Sequence, residues 1–330
     1  MNIAVLGAGS WGTALALQLA RGGHTVRLWG HRPEHIAQLT QNHENARYLP
    51  GVFFPDTLYP TDNLPTALTN AELLLMVVPS EHFSPLLTQI APYIQKTPVL
   101  WAIKGFEHGT GRLLSSVFTE HFGQQHPHAI LAGPSFAKEV AAGQPTAVTI
   151  AAATGHQPEP FARPFHRTNF LCYTSNDIIG AQIGGAVKNI IAIATGIADG
   201  LGCGANTRAA LITRGLHETT RLAEALGASP QTLAGLAGMG DLVLTATDNQ
   251  SRNRRFGLAL GQGKTAEQAK AEIGQVVEGE GAAHDTWVLA CRHNIRMPIV
   301  EHIHHLLSGK ISLAQAVTNL TTRKLKQETP

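Results

Sequence analysis

Apolar positions along the chain follow two patterns, and the change comes near residue 175. Before it, short apolar runs at Ile3–Leu6, His24–Trp29, Leu73–Val78, Pro98–Ile103, Ala129–Ala132, 146–151 and 169–174 alternate with longer amphipathic segments. Runs of that length read as strands, and apolar residues recurring at three- and four-residue spacing read as helices with one buried face. Leu73–Val78 is apolar throughout, as a strand covered on both faces of a parallel sheet must be. Phe83, Leu86, Leu87 and Ile90 mark the core side of the helix that follows, and Leu113, Leu114, Val117, Phe118 and Phe122 that of another. Strands alternating with helices predict a doubly wound, mostly parallel α/β sheet of Rossmann type. Residues 42–66 interrupt the alternation: Pro50, Pro55, Pro60 and Pro65 exclude a long helix and predict an extended surface loop.

After Thr174 the strand signals stop. A long apolar segment around Lys188, a helix over Asn206–Leu226 stopped by Gly227, and capping boxes at Thr265-x-x-Gln268 and Ser312-x-x-Gln315 predict an all-helical remainder, with Gly309 between the last two helices. The expected division is a sheet-bearing unit over residues 1–175 and a helical unit over 176–330. A chain of 330 residues is long for one core and agrees with two.

Composition removes several classes. A net charge of +2 does not suit a nucleic-acid binder, and no aromatic residues interleave the basic ones. Cys172, Cys203 and Cys291 are scattered without C-x-x-C spacing, which argues against disulfides or zinc and for a reducing compartment. The N-terminus lacks the basic and apolar regions of a signal peptide. The segment 178–198 is long enough to span a bilayer, but Gly180, Gly184, Gly185, Gly196, Gln182, Lys188 and Asn189 make insertion unfavourable. A cytoplasmic protein is expected. His302, His304 and His305 match no metal motif and are expected on a solvated face, so no metal site is predicted.

Ile3–Leu6 leads directly into Gly7-Ala8-Gly9-Ser10-Trp11-Gly12, followed by an amphipathic segment and a second strand. This is the G-x-G-x-x-G fingerprint in its strand–turn–helix–strand setting. Gly7 allows the tight turn, Gly9 lets backbone approach a pyrophosphate, and Gly12 lets helix pack on strand. Phosphates would lie at the helix N-terminus, where free N–H groups and the dipole favour anions. The second strand ends WGHRPEH, placing His31 and Arg32 where an acid would otherwise bind the ribose 2′-hydroxyl. NADP(H) should therefore be accepted as well as NADH, and a preference for it would be the extension of that reading. Lys104 and the Gly133–Ala137 loop follow strands at the carboxyl edge, where ligands bind such sheets, and Ser135 is placed to cap the next short helix.

Lys188 is the one charge between Asp177 and Asp199. An ammonium among glycines and alanines needs a partner, a lowered pKa, or both. Asp241, in the Ala237–Asp241 glycine turn, is the best-placed counter-charge. Gly184, Gly185, Ala181 and Ala192 share its helix face and would admit either another backbone or a flat ligand. Ser251-Arg252-Asn253-Arg254-Arg255 is the densest basic cluster; its guanidinium forks beside hydroxyl and amide donors suit a phosphate, with a solvated face as the competing reading. A nicotinamide supplies a hydride but no proton, whereas a desolvated lysine suits acid–base work near neutrality. The combination points to reversible reduction of a small phosphorylated ketone.

Five stretches, GAGSWGTALA, GPSFAKE, GGAVKNIIAIATGI, GANTRAALITRG and AGMGDLVLTATDNQSRNRRFG, resemble the bacterial NAD(P)-dependent glycerol-3-phosphate dehydrogenases, in order and from the first turn to the last helices. The resemblance implies that Lys188 is the general acid/base, with Asp241 and Asn189 beside the reacting carbonyl. It implies that Lys104, Gly133, Ser135, Thr245, Ser251, Arg252 and Asn253 contact the three-carbon phosphate. It also implies that Ser10, Trp11, His31, Arg32, Tyr48, Lys104, Ala137, Arg252, Val276 and Glu278 line the NADPH or NADH site. Tyr48, Val276 and Glu278 rest on the resemblance alone. Ser135 stands where relatives often carry Thr, and Trp11 where some carry Tyr, so hydroxyl and ring are kept. The activity implied is interconversion of dihydroxyacetone phosphate and sn-glycerol 3-phosphate, feeding phospholipid synthesis. A β-hydroxyacid dehydrogenase that selects a carboxylate, and a protein that holds NADPH without turnover, are the alternatives the residues leave open. A homodimer is the commonest assembly for such proteins.

Overall fold

The computed structural model describes residues 1–322, so the end of the expected helical unit, 323–330, lies outside the described residues. Eight strands form one sheet in the order Phe170–Ser175, Thr146–Ala152, His128–Ala132, Val99–Trp101, Leu73–Met76, Asn2–Leu6, Thr25–Trp29, Leu58–Thr61. Every neighbouring pair is parallel except His128–Ala132 with Thr146–Ala152, where the direction reverses. The predicted doubly wound, mostly parallel sheet is what forms. Alternate residues of the central strands feed two cores, Ile3, Val5, Leu73 and Leu75 on one face and Ala4, Leu6, Leu74 and Met76 on the other. That two-sided burial is why residues 3–6 and 73–76 carry no polar side chain.

Two local expectations need correction. Residues 42–66 are not a featureless loop: Glu44–Asn45 and Leu49–Phe53 pair as a small hairpin, Leu58–Thr61 adds a parallel edge strand, and Leu64–Leu68 is a short helix. Pro60 enters a strand because that strand is the sheet's edge, where a missing N–H costs no ladder bond. Ser135 does not cap the helix Ala137–Ala141. Phe136 occupies the cap without a side-chain bond, and the Ser135 hydroxyl donates to the Gly133 carbonyl at 3.0 Å.

From Ile178 onward the described residues form helices and turns. Ile178–Gly200 is capped by Asp177, whose carboxylate accepts from Gly180 N–H at 2.8 Å and Ser229 N–H at 2.9 Å. It is the one helix among the described residues long and apolar enough to cross a membrane, yet 94% of its apolar window is buried inside the protein. The helical half packs around it, with Ile183, Val187, Ile190, Ile191 and Ile193 at the centre of a third core. Gly196 and Gly200 face Gly257 and Gly261 of the helix Arg252–Gly261, and a Cβ at any of the four would meet carbonyl oxygen of the opposite helix. Ala205–Ala225 ends at Leu226–Gly227, where Gly227 takes φ +87°, and both predicted capping boxes form. The histidine expectation fails at His304, which is 7% exposed and stacked on Trp287 at 4.6 Å; its helix turns that face inward. No cluster of three or more metal-ligating side chains occurs among the described residues.

Candidate active site

The strand Val99–Trp101 carries Lys104 past the carboxyl edge of the sheet, and the helix Ile178–Gly200 brings Lys188 to the same place. Asp241, at the start of the helix Asp241–Thr247, joins them. Its Oδ1 accepts from Lys188 Nζ at 2.5 Å and its Oδ2 from Lys104 Nζ at 2.7 Å. Lys188 Nζ also donates to Thr245 Oγ1 at 2.8 Å, and Thr245 in turn donates to the Asp241 carbonyl at 2.6 Å. Lys104 Nζ further reaches the Gly133 carbonyl at 3.2 Å. The predicted Lys188–Asp241 pair is present; the second ammonium on the same carboxylate was not foreseen. Its strand and the family resemblance both place Lys104 near the site, but no spacing rule links it to Asp241.

Burial fixes the electrostatics. Lys188 is 7% and Asp241 0% exposed. Desolvation lowers the Lys188 pKa most, the Asp241 charge pulls it back up and the Lys104 charge pushes it down, leaving it at about 7. Desolvation would raise Asp241, but the ammoniums of Lys104 and Lys188 outweigh it and hold the carboxyl below its usual range. One carboxylate between two cations leaves the ionised cluster with a net positive charge, suited to an anionic ligand. A lysine that titrates near neutrality can both give and take a proton.

Next to Lys188, Asn189 Oδ1 accepts from Asn253 Nδ2 at 2.9 Å, while Asn189 Nδ2 is buried without a partner. The basic cluster splits by position along its helix. Ser251 caps that helix through Arg254 N–H, Arg254 is buried on Asp199 at 2.6 Å, and Arg255 is exposed. Arg252 is left half-buried, 3.9 Å from Glu278 and 3.5 Å from Gln275 Oε1, and Val276 nearby in sequence is 56% exposed. Gly184 serves packing, since a Cβ there would meet the Ala237 carbonyl, whereas at Gly185 the nearest atom is Lys104 Cγ at 3.6 Å.

A second group of the predicted residues gathers at the glycine turn. Gly7 takes φ +122°, and a Cβ there would meet the Val77 carbonyl; a Cβ on Gly12 would meet the Gly7 carbonyl; at Gly9 the space is open. The helix Ser10–Arg21 has no side-chain cap, which leaves its first N–H groups free. Ser10 Oγ donates to the Tyr48 carbonyl at 2.8 Å, Trp11 Nε1 is buried without a partner, and Ala137 is half-buried. His31 and Arg32 are exposed, Arg32 Nε donating to His31 Nε2 at 3.3 Å. Partial desolvation, with Arg32 beside it, lowers the His31 pKa below 6.5, so Arg32 is the fixed cation of the pair. An open Gly9 and an uncapped helix start fit a dinucleotide diphosphate.

A dinucleotide turn on a parallel sheet, with a proton-active lysine brought to the sheet's carboxyl edge by a helical half, defines a nicotinamide-dependent dehydrogenase. Models of the N- and C-terminal parts of NAD-dependent glycerol-3-phosphate dehydrogenase match residues 2–157 and 177–318, and the chain belongs to that family. It is 53% identical over 328 residues to the glycerol-3-phosphate dehydrogenase (NAD(P)+) of Haemophilus ducreyi, covering 99% of this chain and 98% of that protein. For the Shewanella pealeana protein of the same name the identity is 51%, covering 99% and 97%. The crystal structure of glycerol-3-phosphate dehydrogenase from Coxiella burnetii superposes with a TM-score of 0.94 at 47% identity, covering 98% of this chain and 99% of that one.

Proposed function

We propose that the protein reduces dihydroxyacetone phosphate reversibly to sn-glycerol 3-phosphate with NADPH or NADH. The observation that carries the proposal is the Lys188–Asp241–Lys104 cluster: a proton donor tuned to neutrality inside a cationic site. The Gly7–Gly12 turn and the free N–H groups of the helix after it would hold the reduced nicotinamide cofactor, with Arg32 toward a 2′-phosphate, and the cofactor would supply the hydride. Lys188 then gives its proton to the ketone oxygen, and the resulting neutral amine stays hydrogen-bonded to Asp241 and Thr245. In the oxidative direction the same amine takes the hydroxyl proton. Asp241 holds Lys188 in place, and Lys104 keeps Asp241 ionised. Arg252, beside Asn253, Ser251, Ser135 and the Gly133 backbone, anchors the substrate phosphate, so that binding energy orients the carbonyl.

The proposed units are residues 1–175 for the cofactor and 176–330 for catalysis, in a cytoplasmic homodimer whose product serves phospholipid synthesis. The test follows NADPH absorbance with dihydroxyacetone phosphate, with dihydroxyacetone as control and NADH in parallel. Rapid oxidation with the phosphate ester alone is the expected result. No oxidation would leave a protein that only holds the nucleotide, and equal rates with both ketones would remove the phosphate role of Arg252.

A further inference from the structure

Gly279 is the second residue of the helix Glu278–Arg292, where a backbone N–H has no partner within the helix. Here it donates to Asn253 Oδ1 at 2.9 Å. A backbone N–H can only donate, so the Asn253 atom facing it must be oxygen, and the amide's NH2 must face the other way. That NH2 donates to Asn189 at 2.9 Å, so the Asn189 atom facing it must be oxygen as well. What remains is Asn189 Nδ2, a donor without a partner in a side chain 2% exposed and next to Lys188 in the chain. Turning either amide over would set two donors face to face. We propose that Gly279 is a positioning residue: its N–H, acting through Asn253, sets Asn189 so that an NH2 group is offered to an oxygen of the substrate.

The requirement for glycine is steric. A Cβ at 279 would lie 2.7 Å from Ile193 Cδ1, 2.9 Å from Asn253 Oδ1 and 3.0 Å from the Asn189 carbonyl oxygen, and it would push the Asn253 amide out of register. A buried amide donor left unsatisfied costs stability until an acceptor arrives, so substrate binding satisfies the group that the relay holds ready. The inference rests on the proposed ketone reduction and assigns that reaction a residue that touches neither substrate nor cofactor.

A double-mutant cycle on the full-length enzyme tests it. Gly279→Ala should lower kcat/KM for dihydroxyacetone phosphate about 100-fold, the scale of a misplaced group, and leave the NADPH Kd unchanged. In the Asn189→Ala background, Gly279→Ala should then cost little more, because the relay acts through Asn189. Losses that multiply would overturn the relay. Backbone hydrogen exchange is a second arm, read without turnover and without substitution at Gly279. The Gly279 amide should be protected in the wild type and in Asn189→Ala, and exposed to exchange in Asn253→Ala. Protection that survives Asn253→Ala overturns the proposal even if Gly279→Ala does not fold. Failure of the ketone-reduction reading is distinguishable, since it appears as a wild-type enzyme inactive on the phosphate ester.

Discussion

Asp241 holds two ammoniums on one carboxylate, one buried and one part-buried, and each lysine changes what the other can do. Removing the Lys188 amine deletes the proton donor and leaves the glycine turn untouched, so Lys188→Ala should lower kcat by about two to four decades. NADPH affinity, followed by fluorescence titration, should stay the same; a variant with near-normal turnover would end the acid assignment. The pH dependence follows from a Lys188 pKa lowered to about 7. Reduction needs the ammonium, so its rate should be level below about pH 7 and fall above it; oxidation needs the amine and should show the opposite limb. In Asp241→Asn the upward pull of the carboxylate is gone, and both limbs should move to lower pH. Profiles in both directions, with no limb assignable to Lys188, would refute this. The Lys188–Asp241 contact was legible in the sequence because an isolated ammonium in an apolar helix demands a partner. The share taken by Lys104 was not: its partner lies 137 positions away and in the other half of the fold. Asn189 was given its role by resemblance and Asn253 by the basic cluster as well, but nothing in their spacing announces that they bond each other.

Among the elements, the contact between Ile178–Gly200 and Arg252–Gly261 governs the site most directly, since one helix presents Lys188 and Asn189 and the other Arg252 and Asn253. Their axes approach closely because Gly196, Gly200, Gly257 and Gly261 present backbone to backbone. A methyl at 257 would meet the Ile193 carbonyl oxygen, which cannot rotate away as a side-chain tip would. Gly257→Ala should therefore destabilise the protein by about 1–3 kcal/mol in a denaturant melt. It should also lower kcat/KM, because separating the helices pulls Asn253 off Asn189. Unchanged stability and turnover would show that the helices have slack the geometry does not suggest. The long strands and helices were legible from periodicity, since two-sided burial and 3.6-residue spacing leave direct traces in sequence. The hairpin and edge strand within 42–66 were not, because prolines that forbid helix still permit edge strands. Ser135 failed as a cap for a related reason: a local hydroxyl–carbonyl bond within the Gly133 turn competed successfully for it.

At the scale of the whole molecule, each half contains a buried histidine that folding keeps neutral. His128, at the start of its strand, is 2% exposed, stacks on Trp101 and bonds to the His126 carbonyl; His126 and His156 are the titratable groups around it. His304 stacks on Trp287 and faces His284, His305 and Lys310, so every charged neighbour is a base. Desolvation, reinforced by these bases, lowers both from 6.5 to about 4. Between those values the unfolded chain binds more protons than the folded one, so stability falls as pH falls through that window and is not affected by these groups above it. The loss should reach both halves together, since the Lys104–Asp241 ion pair and the buried Gln182–Ser115 hydrogen bonds tie them. Thermal melts at pH 7 and pH 5 should show a lower Tm in acid. The double substitution His128→Phe with His304→Phe keeps an aromatic ring against each tryptophan while removing the proton acceptor, and should shrink the drop. A variant whose Tm falls as far as that of the wild type would show that neither histidine carries the loss, since Asp241, held below its usual range by the two ammoniums, stays ionised at both pH values.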